Sequence, residues 1–199
     1  TIDVARKIFP NEVICFSTDD NNIKNLAEGL GLNVPFIRPA ELATDEAGTY
    51  QVLLHAIHYY ESCGYFPDTL VLLQPTSPFR TELHVKEAIG LYDDQCDMVV
   101  SVKETRSKPN SFLLKENEVG WLEQLEKGIF ESRQACPIVY EYNGAIYIAS
   151  IDELKQKPFY MFKRIRKYVM DELSSHDIDT MLDWLLAETI LNNITLPSG

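Results

Sequence analysis

Short apolar runs recur along the first half of the chain, each followed by a stretch of helical spacing. Residues 12–17 end at Thr18-Asp19-Asp20 and read as a buried parallel strand followed by a helix cap. Ile23, Leu26, Ala27 and Leu30 then repeat at helical spacing, and Gly31 closes that helix. Residues 34–37 form a short extended piece. The 47–62 segment predicts a helix, with Val52, Leu53, Ala56, Ile57 and Tyr60 on one face. Residues 69–73 are the clearest buried strand, followed by a helix at 81–92 and a strand at 97–103. Residues 1–7 look like the end of an amphipathic helix. Strand alternating with helix predicts an α/β fold of three layers, with a mostly parallel sheet and helices on both faces.

The pattern changes at 104–142. Weak strand signals around 112–114 and 119–122 are set among charges, without a long apolar helix. This stretch reads as a hairpin-like arm inserted into the sheet, suited to subunit contact. A strand at 144–149, a short helix at 152–156, a strand at 166–169 and a closing helix at 177–191 complete the expectation. Trp184, Leu185, Ile190 and Leu191 are expected to pack that helix down. No linker rich in Gly, Pro or Ser interrupts the chain, so residues 1–199 are read as one domain.

Composition narrows the partners. The 199 residues carry a formal net charge of −12, which argues against nucleic acid held on a basic face. No stretch is apolar and long enough to span a membrane. Cys15, Cys63, Cys96 and Cys136 form no closely spaced pair, so a structural zinc is not expected. They lie in or beside apolar stretches and read as reduced, buried thiols of a cytoplasmic protein. An acidic chain that handles anions must gather its cations locally, so the arginines near loops matter most.

The segment Leu72-Leu73-Gln74-Pro75-Thr76-Ser77-Pro78-Phe79-Arg80 is a strand running into a turn stiffened by two prolines, at the carboxyl edge where open α/β sheets bind ligands. Thr76 and Ser77 offer hydroxyls there, and Thr81 is placed to cap the next helix. Arg38, in a loop before Pro39, is in a position to meet a phosphate or a ribose. Arg80 can do the same or pair with Glu82. Asp177 and Asp179 share one side of an extended segment. Such a pair suits Mg²⁺, which takes one or two carboxylates plus substrate phosphates. Helix capping by Ser175 or Asp177 is the competing reading. His55 and His58 lack a third ligand and read as ordinary helix-face residues.

Five segments in order resemble one family, the acylneuraminate cytidylyltransferases. They are the 72–80 segment, Phe16-Ser17-Thr18-Asp19-Asp20, Ile37-Arg38-Pro39-Ala40-Glu41-Leu42-Ala43-Thr44-Asp45, Asn143-Gly144-Ala145-Ile146-Tyr147 and His176-Asp177-Ile178-Asp179-Thr180. The resemblance implies a Rossmann-like nucleotidyltransferase fold, a homodimer formed through the arm, and transfer of CMP from CTP to an acidic nine-carbon sugar. It implies Mg²⁺ on Asp177 and Asp179, and nucleotide contacts from Arg38, Thr76, Ser77 and Arg80. It also implies Arg133 at the acidic sugar, Tyr147 and Phe159 beside its N-acyl group, and a close backbone approach at Asn143 and Gly144.

Two departures stand out. The family opens with a strand and a Gly/Ser/Lys/Arg-rich phosphate loop, and this sequence starts after it. Many members also have arginine where this chain has Glu141. The resemblance leaves legionaminate or an eight-carbon acid open as the sugar, and also a catalytically inactive nucleotide-sugar-binding homologue.

Overall fold

The computed structural model describes residues 1–44, 47–105, 107, 113–125 and 136–193. Helix α1 (Ile2–Arg6), α2 (Asn21–Gly29) and α3 (Thr49–Ser62) precede strand β1 (Thr69–Leu72). Helix α4 (Glu82–Gly90) and strand β2 (Met98–Glu104) follow, then a hairpin of β3 (Leu114–Glu116) and β4 (Leu122–Gln124). The chain returns through β5 (Tyr140–Ser150), α5 (Ile151–Gln156), β6 (Ile165–Val169) and α6 (Met181–Asn193).

The main sheet has the order β1-β5-β2-β6. β5 runs antiparallel to both of its neighbours, and β6 is parallel to β2. Three strands therefore point one way and β5 the other, so the sheet is mixed but mostly parallel in direction. Alternation along β2 divides the core. Met98, Val100 and Val102 pack with Leu53 and Ile57 of α3 and with Ile151 and Leu154 of α5. Val99 faces the opposite layer, with Val85 and Ala88 of α4 and, partly buried, Val4 of α1. Helices on both faces of one sheet make the three layers expected from the pattern.

The first expected strand does not form. Asn11–Val13 is a single 3₁₀ turn, and residues 14–18 are irregular. A strand exists only where a neighbour completes its ladder, and among the described residues none pairs with this segment. The Thr18 carbonyl accepts instead from Arg38 N–H at 2.8 Å. The cap that follows does form: the Asp20 carboxylate accepts from Asn22 and Ile23 N–H. Thr81 caps α4 through a reciprocal box with His84. The closing helix starts at Met181 rather than 177, and Trp184, Leu185 and Leu191 are exposed on it rather than packed down. Cys96 and Cys136 are buried as expected, whereas Cys15 and Cys63 are exposed; none of the four is joined in a disulfide.

Asp97 ties the start of β2 to the start of β6. Its carboxylate accepts from Lys163 N–H (3.1 Å), Arg164 N–H (3.2 Å) and Arg164 Nε (2.8 Å). The Lys163 amide foremost, then the Arg164 amide and guanidinium, hold the carboxyl down at about 2. A carboxyl whose folded pKa lies below its unfolded value near ~3.9 stabilises fully above that value. The stabilisation is lost as pH falls toward the folded pKa. Asp97→Asn should therefore melt below the wild type at neutral pH, with the gap closing between about pH 4 and about pH 2. Thermal melts across that range check it.

Candidate active site

β1, β2 and β6 all end at one edge of the sheet, and the candidate site is built there. The register supplies the first piece. Val100 faces Tyr147 and Val102 faces Tyr142, so five steps of β5 span two of β2. Residues 143–146 therefore bulge from the ladder, as strands do beside functional edges. Gly144 sits in this bulge at φ +74°, a conformation that disfavours side chains. A Cβ there would lie 2.7 Å from Gln74 Oε1 and 3.2 Å from Asp177 Oδ2. Gly144 is thus the point on which the loop after β1 and the loop after β6 converge. Those loops also meet through the backbone, where Ile178 N–H donates to the Thr76 carbonyl at 2.9 Å.

Asp177 Oδ1 is enclosed and has no hydrogen-bond partner. The competing reading of Ser175 or Asp177 as the helix cap does not hold, because another pair does that work. Asp183 Oδ2 accepts from Thr180 N–H at 2.7 Å and from Asp179 N–H at 3.2 Å, and Thr180 Oγ1 accepts from Asp183 N–H at 3.3 Å. Bonding to Thr180 holds the Asp183 carboxyl below its usual range. Asp177 stands beside Gly144, and the exposed Asp179 lies two residues on. Among the described residues no group of three or more His, Cys, Asp or Glu is placed to enclose a metal ion.

Ser77 is buried, with an unpartnered Oγ, in the loop that carries Thr76. Arg80 is placed differently from the expectation. It is 3% exposed and turned inward, its Nη1 donating to the carbonyls of Gln74 (2.9 Å) and Ala145 (2.7 Å) and its Nη2 to Thr1 Oγ1 (2.7 Å). These donors clamp the loop to the β5 bulge and are not presented to a ligand. It makes no pair with Glu82, which meets Lys7 and Lys86. Burial lowers the Arg80 guanidinium to about 10. Arg38 forms an ion pair with Asp19 and leaves its Nε unpartnered. The pair keeps the Asp19 carboxyl below its ordinary value.

Tyr147 stacks on Phe159 with centroids 5.5 Å apart and planes 9° from parallel, and Tyr142 meets Tyr147 edge-on at 6.2 Å. Tyr147 and Phe159 are half-buried against the layer of α3 and α5. Burial foremost, then Tyr142 and Asp177, raise the Tyr147 phenol. Glu141 pairs with Lys103 at 3.1 Å. Arg133 lies outside the described residues. Asn143 is buried, with its amide turned into the protein. Gln74 and Ser101 were not singled out from the sequence, and Ser175 was read only as a candidate helix cap. The signal for Ser101 was present, as a single hydroxyl within Met98-Val99-Val100-Ser101-Val102.

A carboxylate, a serine hydroxyl and an aromatic wall thus gather near the carboxyl edge, where open α/β sheets bind their ligands. The chain belongs to the cytidylyltransferase family, whose model matches residues 1–192. It is 33% identical over 193 residues to an N-acylneuraminate cytidylyltransferase of Escherichia coli, covering 96% of this chain and 44% of that protein. The chain thus spans less than half the length of that relative. It is 31% identical over 185 residues to a CMP-N,N'-diacetyllegionaminic acid synthase of Legionella pneumophila, covering 90% of this chain and 78% of that one. The crystal structure of a 4-diphosphocytidyl-2C-methyl-D-erythritol synthase from Anaerococcus prevotii shares the fold. Its TM-score is 0.64 at 12% identity, over 96% of this chain and 84% of that one.

Proposed function

We propose that this chain carries the site that transfers CMP from CTP to a nonulosonic acid of the sialic type. The observation that carries the reading is the Asp177 carboxylate. It has one enclosed oxygen without a partner and is held against Gly144 and Gln74 at the carboxyl edge of a cytidylyltransferase fold. In the reaction, the anomeric hydroxyl oxygen of the sugar bonds to the α-phosphorus. The bond from that phosphorus to the bridging oxygen breaks, pyrophosphate leaves, and the hydroxyl proton passes to solvent. The protein contributes position and electrostatics rather than a covalent intermediate.

Asp177 and Asp179 fit a Mg²⁺ ion that completes its shell with phosphate oxygens and water. Such an ion would neutralise charge on the phosphates. Thr76, Ser77 and Arg38, whose Nε is free, hold the nucleotide. Tyr147 and Phe159 form the apolar wall for the N-acyl group, and Arg133 takes the sugar carboxylate. Asp179→Asn is expected to cut turnover by at least ~100-fold with an unchanged melting temperature, because the exposed side chain makes no structural bond. Full turnover in that variant removes Asp179 from the metal role.

A second reading, a legionaminic acid as the sugar, is favoured by the Legionella relative, whose length this chain spans more fully. The β3–β4 hairpin exposes Val119, Trp121 and Leu122, which supports a homodimer formed through the 104–142 arm. Trp121→Glu should then shift the sedimentation of the wild type from dimer to monomer, and an unshifted species removes the hairpin from the interface. No helix among the described residues is long and apolar enough to cross a membrane. The compartment we propose is the cytoplasm, as one that supplies CTP.

A further inference from the structure

Asn143 was expected to bring its backbone close to the ligand; the residue is only 3% exposed and its whole side-chain amide is engaged inside the protein. Oδ1 accepts from the Ser101 hydroxyl (2.6 Å) and from Ala145 N–H (3.2 Å). Nδ2 donates to Ser175 Oγ (2.9 Å) and also meets Met170 Sδ at 3.4 Å. An amide offers two acceptor sites and two donors, so nothing is left over for a substrate. Ser101 repairs the bulge: its Oγ accepts from Ile146 N–H at 2.7 Å, in place of the interrupted ladder. Ser101 and Ser175 are at most 2% exposed. The Ser101–Asn143–Ser175 chain therefore runs from β2, through the β5 bulge, to the loop that carries Asp177.

We infer that this buried chain is a positioning device, which fixes the Asp177 carboxylate and the Gly144 backbone against each other and acts on substrate only through them. Ser175 is two residues before Asp177, and Asn143 is next to Gly144, where Asp177 Oδ2 makes its closest approach. Stability alone does not account for the arrangement. Ser101 suffices to close the bulge, whereas the Asn143 bond to Ser175 reaches a loop outside the sheet. Buried polar chains hold one geometry when every member is satisfied, and such outer partners orient the groups that do the chemistry.

The kinetic half of this inference rests on the CMP-transfer reading, and the structural half does not. The test compares wild type, Ser175→Ala, Ser175→Thr and Asn143→Ala in two measurements. The first is kcat and KM for CTP and sugar. The second is amide hydrogen exchange at Ile178, whose N–H bonds to Thr76. Ser175→Ala should lower kcat by about tenfold or more, with both KM values within about threefold. Ser175→Thr, which keeps the hydroxyl, should restore most of kcat. Ile178 exchange should quicken about tenfold in Ser175→Ala while Val99 exchange in β2 is unchanged.

A raised sugar KM with intact kcat in Asn143→Ala, together with a silent Ser175→Ala, would overturn the inference and make Asn143 a ligand contact. Should Asn143→Ala fail to fold, the two Ser175 variants decide. Should the wild type transfer no CMP, the functional reading fails separately. Exchange at Ile178 then decides alone, with faster exchange in Ser175→Ala supporting the device and unchanged exchange overturning it.

Discussion

Alanine at Gly144 is expected to inactivate the site and to destabilise the fold. The left-handed backbone costs a side chain about 1–2 kcal/mol, a fall in melting temperature of roughly 2–8 °C for a chain of this size. The larger effect is local. The new Cβ would stand 2.7 Å from Gln74 Oε1 and 3.2 Å from Asp177 Oδ2. The Gln74 amide can swing aside, but Asp177 is held by a loop whose backbone is bonded to Thr76. Displacing a reacting group by even an ångström costs about 100-fold in rate. Turnover should fall by at least that factor while circular dichroism remains native. Wild-type turnover in Gly144→Ala would mean that no reacting group approaches this point.

Asp177→Asn is the second large effect, and it separates activity from stability. The enclosed Oδ1 has no partner, so the carboxylate is left partly unsatisfied in the absence of ligand. A neutral amide of the same shape relieves that cost. The variant should melt at or above the wild type while turnover falls by at least about 100-fold. Sites that store unfavourable charge for function behave in this way. Differential scanning calorimetry beside a turnover assay reads both. A variant that loses activity and stability together would mean that Asp177 is a structural carboxylate.

The parts of the fold that were legible are those in which one local signal decides. Met98–Val102 of β2 is apolar but for Ser101 and buried on both faces, and α3 shows a regular apolar stripe that buries Leu53 and Ile57. Asp20 and Thr81 cap their helices because side-chain geometry within four residues settles the matter. Residues 12–17 look equally strand-like, but a strand depends on a neighbour, which composition does not encode. The 143–146 bulge was illegible for a similar reason: it arises from the register between β2 and β5.

The candidate site divides along the same line. Asp177 and Gly144 were found from their motifs, and the structure adds that the Asp177 carboxylate borders the space a side chain at Gly144 would fill. Arg80 was read as a nucleotide contact or a partner of Glu82. Its inward turn follows from the carbonyls of Gln74 and Ala145, one of them 65 residues away along the chain. The engagement of the Asn143 side chain was not legible, since its partners Ser101 and Ser175 come from a strand and a loop distant in sequence.

Pyrophosphate release from CTP, measured with Mg²⁺ across a panel of nonulosonic acids and an eight-carbon acid, tests the central claim most directly. The account predicts release that depends on one nine-carbon acid, with the matching CMP-sugar formed in equal amount and both lost in Asp177→Asn. Release independent of any sugar, or release that persists unchanged in Asp177→Asn, would contradict it.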